Sequence, residues 1–95
     1  MANTAPIAAE PALVVYDSRI PRSVAFARLH GGAKLDVATQ DARRWRRLRE
    51  PLPAGRIVGL TRWSDLVLVR GFGEDQRKRL RSEMRDGALF RWELG

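Results

Sequence analysis

Two short apolar runs, Leu13-Val14-Val15-Tyr16 and Ile57-Val58-Gly59-Leu60, constrain the fold most. Each is continuous rather than alternating, and each is cut off by polar residues. Four apolar residues in a row suit a strand buried on both faces, as in a parallel sheet covered by helices. The first run ends in Asp17-Ser18-Arg19 and the second in Thr61-Arg62-Trp63-Ser64-Asp65. In open parallel sheets ligands bind just beyond the carboxyl ends of central strands. These two packets are therefore where a site is expected.

Between the runs the pattern changes. Pro21 suits the first turn of a helix; Ile20, Val24, Phe26 and Ala27 give that helix an inward stripe, and Gly31-Gly32 stops it. Leu35 and Val37 alternate with Lys34 and Asp36, which makes Leu35–Ala38 an edge strand with one wet face. Thr39 or Asp41 can cap a helix from Ala42 to about Glu50, which Pro51 and Pro53 end. After Asp65 two readings compete. Leu66–Val69 has the local composition of a strand, which would make Trp63-Ser64-Asp65 a hairpin turn. Ser-Asp is a poor two-residue turn, however, because it lacks the Gly or Asn that positive φ demands. The favoured reading makes Ser64 an N-cap and puts Asp65 in the first turn of a helix. Leu66, Val69, Gly73, Gln76, Leu80 and Met84 then fall on one seam. Helix is expected from Glu74 to Arg85, stopped by Asp86-Gly87. Ala88, Phe90, Trp92 and Leu94 alternate with Leu89, Arg91 and Glu93, which predicts a second edge strand.

With two buried strands, two edge strands and right-handed crossovers, the expected order is second, first, third, fourth. The expected fold is α/β: a small three-layer domain with a mostly parallel four-stranded sheet and helices on both faces. It resembles a small flavodoxin-like or half-Rossmann unit, a resemblance of architecture that carries no function. Residues 1–12 are expected to form a flexible tail and residues 13–95 a single domain. The topological switch falls between the first and third strands, so the two polar packets should face one crevice.

There Arg19 and Arg62 would clamp a carboxylate or phosphate, Trp63 would stack or form a lid, and Ser18, Thr61 and Ser64 would add hydroxyls. The same spacing also allows plain local ion pairs, Arg19 with Asp17 and Arg62 with Asp65. Catalysis has less support. Asp17 and Asp65 are the only carboxylates placed for acid–base work. Gly71-Phe72-Gly73 is a lone G-x-G, and no phosphate loop or G-x-S-x-G is present. No cofactor is implied. The chain has no cysteine, which excludes disulfides, thiolate catalysis and Cys-based zinc sites. Its single histidine, His30, excludes a His-rich metal centre within one chain.

Lysine and arginine number 18 against 11 acidic residues, a net charge of +7. That balance invites a polyanion. The candidates are Arg43, Arg44, Arg46, Arg47 and Arg49 on one predicted helix, and Arg77, Lys78, Arg79, Arg81 and Arg85 on another. No nucleic-acid recognition motif accompanies them, so such binding would be nonspecific and salt-dependent. A third reading is assembly without ligand chemistry, a homodimer through the Ala88–Leu94 edge. No run reaches the roughly 20 apolar residues of a membrane span. The first residues also lack the basic start and apolar centre of a signal peptide. A soluble, cytoplasmic protein is the default expectation; the start of an exported mature form is the alternative.

Overall fold

A computed structural model describes residues 10–39 and 51–95. The elements are β1 (Leu13–Tyr16), α1 (Pro21–Arg28), β2 (Ala33–Asp36), β3 (Ile57–Thr61), α2 (Trp63–Asp75), β4 (Leu80–Asp86) and β5 (Leu89–Leu94). They build a five-stranded sheet in the order β2-β1-β3-β5-β4. β1 pairs in parallel with β2 and β3, whereas β5 runs antiparallel to both β3 and β4. The expected mostly parallel four-stranded sheet is therefore replaced by a mixed sheet of five.

The departure begins at the end of α2. The helix stops at Asp75, and Arg77 sits in the left-handed region at φ 64°. The chain then forms β4 where the seam of Leu80 and Met84 predicts more helix. Gly87, at φ 65°, opens a two-residue turn into β5. A glycine with positive φ at the first central position is the chemistry of a hairpin, so Asp86-Gly87 reverses a strand rather than ending a helix. Ala88–Leu94 also ceases to be an edge: β5 lies between β3 and β4. A homodimer through that strand is blocked by the protein's own β4.

α1 and α2 cover opposite faces. Phe26 and Ala27 of α1 pack on Val14, Val58, Leu60 and Leu89. Leu66 and Val69 of α2 pack with Leu13, Val15, Leu35, Ile57, Trp92 and Leu94. β1 and β3 thus contribute to both cores, which is why their apolar runs are unbroken. Pro21 opens α1 as predicted by its fixed φ. The start of α2 differs from expectation: Arg62 is the N-cap, without a side-chain capping bond, and Ser64 lies inside the first turn. Of the predicted tail, residues 1–9 lie outside the described residues, while the Ala12 N–H donates to the Arg56 carbonyl at 2.8 Å. The predicted helix Ala42–Glu50 also lies outside them. Among the described residues no helix is long and apolar enough to cross a membrane.

Candidate functional site

β1 and β3 lie side by side and parallel, so the loops leaving their carboxyl ends are neighbours. A residue that sequence reasoning passes over ties them together. Ser23, in the first turn of α1, accepts a hydrogen bond from the Asp17 N–H at 2.8 Å and donates to the Leu60 carbonyl at 2.6 Å. Asp17 directly follows β1 and Leu60 is the next-to-last residue of β3, so Ser23, fully buried, bridges the two strand ends. A serine in a helix carries no signal of such a role in sequence.

Asp17 is the centre of the site. Its side chain has no exposed surface, although it sits in a loop. Oδ1 accepts the Arg19 N–H at 2.9 Å and Arg19 Nε at 3.0 Å, and Oδ2 accepts the second fork nitrogen of Arg19 at 2.8 Å. From the other loop, Arg62 Nε approaches the same Oδ2 at 3.9 Å and Asp65 Oδ2 at 3.8 Å. The local pairs allowed by the spacing therefore form, and a cross-loop pair joins them into one network. The Arg19 fork holds the Asp17 carboxyl below its usual pKa of 3.8; burial opposes this, and the Arg19 N–H and the charges of Arg19 and Arg62 reinforce it. The same fork raises the pKa of Arg19.

Asp36, at the end of β2, borders the same loops and is a second anchor that sequence reasoning leaves out. Its Oδ1 accepts the N–H groups of Ser18 at 3.0 Å and Ala38 at 2.9 Å. Burial disfavours its charge, but hydrogen bonds from Ser18 and the Ala38 backbone outweigh this and lower its pKa. In the sequence Asp36 reads as a wet-face residue of an edge strand, and its role emerges because the strand ends there.

No protein-family model matches the chain, and neither a curated protein nor a solved structure does.

The structure brings together Asp17, Ser18, Arg19, Arg62 and Asp65. Trp63 follows Arg62 in the chain and is 48% exposed, but its ring is tilted against Phe90 with centroids 5.2 Å apart, and Phe90 belongs to β5, on the other side of β3 from β1. Ser64 is exposed in the first turn of α2. Thr61 is different. It is buried, accepts the indole N–H of Trp92 at 3.0 Å and donates to the Arg62 carbonyl at 3.1 Å. Its hydroxyl is committed to the α2-side core and does not serve the crevice. Thr61→Val is expected to cost about 1–2 kcal/mol by stranding the buried indole donor. Urea denaturation measures that loss, while a phosphate titration of the folded variant should match the wild type.

Asp17 is poorly placed for acid–base work, because Arg19 and Arg62 shield it and hold it ionised. Among the described residues, no group of three His, Asp or Glu side chains is arranged to hold a metal ion. The polyanion candidates are redistributed. Arg77, Lys78 and Arg79 lie in the connection between α2 and β4, and Arg81 and Arg85 lie on β4. They do not share a helix face. Arg43, Arg44, Arg46, Arg47 and Arg49 lie outside the described residues.

Proposed function

We propose that the crevice at the ends of β1 and β3 binds a small ligand bearing a phosphate or carboxylate. The observation that carries this reading is the convergence of Arg19 and Arg62, from two different loops, on one buried carboxylate. Asp17 holds the Arg19 guanidinium with a two-point fork and draws Arg62 to within 3.9 Å by charge, while about half of each arginine side chain, 48% and 51%, stays open to solvent. A guanidinium held by an internal counter-ion loses less side-chain freedom when it grips an anion, so more of the contact energy is realised as affinity.

An amide-resolved NMR titration with inorganic phosphate and with citrate tests this. Shifts are expected at Ser18, Arg19 and Arg62–Asp65, and Arg62→Ala should weaken binding roughly tenfold, about 1.4 kcal/mol. Absence of shifts at millimolar anion would discard the reading. A second reading rests on Arg77, Lys78 and Arg79, three consecutive cations that with Glu74 line a groove of about 440 Å³. Shifts there with a short duplex, abolished by added salt, would favour a polyanion instead.

A further inference from the structure

β4 is the outer strand of the sheet, and among the described residues nothing pairs with its free side. Its seven residues are Leu80-Arg81-Ser82-Glu83-Met84-Arg85-Asp86, and the five central ones are exposed. Edges of this length usually carry features that discourage pairing. Here the charges have a different property: they are complementary to themselves.

The register decides which backbone groups face outward. Asp86 and Leu89 close the two-residue turn, so they exchange hydrogen bonds, as do Met84 and Arg91 two positions further along. Arg79 and Gly95 exchange bonds at 2.9 Å each way, which keeps the same phase on β5 past the irregularity between Leu80 and Ser82. The N–H and C=O groups of Glu83 and Arg85 are therefore the ones turned away from β5 and available to another strand.

A second copy adding antiparallel to this edge must satisfy a two-fold axis. If the axis falls on Glu83, glutamate opposes glutamate and Arg81 opposes Arg85. If it falls on Arg85, arginine opposes arginine. With the axis on Met84, Glu83 of each chain bonds across to Arg85 of the other, twice, and Ser82 faces Asp86. Opposite charges directly across a sheet stabilise pairing and like charges oppose it. The Met84 register is the one that satisfies both the outward backbone groups and the charges. It also covers Met84, a large apolar side chain that is otherwise 67% exposed, with its own copy.

We propose that the protein forms a two-fold homodimer through antiparallel pairing of β4 about Met84, continuing the sheet across the two chains. The contact is short, with four backbone hydrogen bonds and two ion pairs, so the dimer belongs to the weak class of interfaces below about 1,200 Å². Analytical ultracentrifugation of the full chain over a range of concentrations tests it. Wild type should show a concentration-dependent dimer. Glu83→Arg and Arg85→Glu should each be monomeric, since each places two like-charged pairs across the axis. An equimolar mixture of these two variants should dimerise again, because each chain's residue 83 then meets an opposite charge at residue 85 of the other. Both positions are exposed, and circular dichroism checks that each variant is folded. A wild type that stays monomeric, single variants that still dimerise, or a mixture that stays monomeric overturns the proposal.

Discussion

Gly59→Ala is expected to destabilise the protein by about 3 kcal/mol, a large share of the roughly 5–15 kcal/mol that holds a small domain together. Gly59 lies in the middle of β3, directly opposite Trp92 on β5. A methyl group there would lie 2.2 Å from Trp92 Cζ2 and 2.4 Å from Cε2. The indole lies where the glycine leaves room, an approach for which strand glycines are used. It has no easy retreat. Trp92 is almost fully buried, its N–H is held by Thr61 at 3.0 Å, and Leu66, Val69 and Leu94 belong to the same core. Overpacking costs about 1–3 kcal/mol, and losing the indole hydrogen bond adds about 1 kcal/mol. The stiffer unfolded chain returns a few tenths to about 1 kcal/mol. For a domain of this size the balance lowers the melting temperature by roughly 10–20 °C. Thermal and urea denaturation measure the effect, and pairing Gly59→Ala with Trp92→Leu should recover part of it. A loss below about 1 kcal/mol would mean that the ring does not rest on Gly59.

The contact also marks how far the fold can be read from the residues. β1 and β3 are legible because burial on both faces leaves an unbroken apolar run, and their polar exits locate the crevice. The start of α2 is legible as helix from Leu66, Val69 and Gly73. Beyond it the same spacing misleads. Leu80 and Met84 continue the helical seam by coincidence, and the break at Arg77 is made by a non-glycine residue in the left-handed region, which leaves no mark in sequence. Asp86-Gly87 serves equally as a helix stop and as a hairpin turn. Only the partner strand decides between them. Alternation in β5 reports that its two faces differ; it does not report what lies on either side within the sheet. Thr61 could have been placed by that same period of two. Ile57, Gly59 and Thr61 share a face of β3, so Thr61 belongs with Trp92 and not with the crevice.

Asp17→Asn is the more informative substitution for function, because stability and binding pull its interpretation in different directions. The amide keeps the shape of the carboxylate but loses the charge and turns two donors towards a site already lined by arginine donors. Removing one partner of a buried ion pair costs about 3–5 kcal/mol. Here water reaches the half-exposed arginines, so about 2 kcal/mol is expected. The pH dependence has a definite sign. The folded pKa values of Asp17 and Asp36 both lie below the ordinary 3.8. Their contribution is fully present above that value and is lost as pH falls below it, through the depressed folded values. Wild type should therefore lose stability on acidification below about pH 4. Asp17→Asn should show a smaller loss, with the Asp36 part remaining, as measured by urea midpoints across that range. Binding separates the two ways in which the crevice could attract an anion. Net positive charge alone predicts that removing Asp17 strengthens phosphate binding, because one negative charge has gone. Orientation of Arg19 and Arg62 by Asp17 predicts that it weakens binding despite the added charge. The geometry favours weakening, and a variant that binds phosphate more tightly than wild type would reduce the crevice to a patch of surface charge.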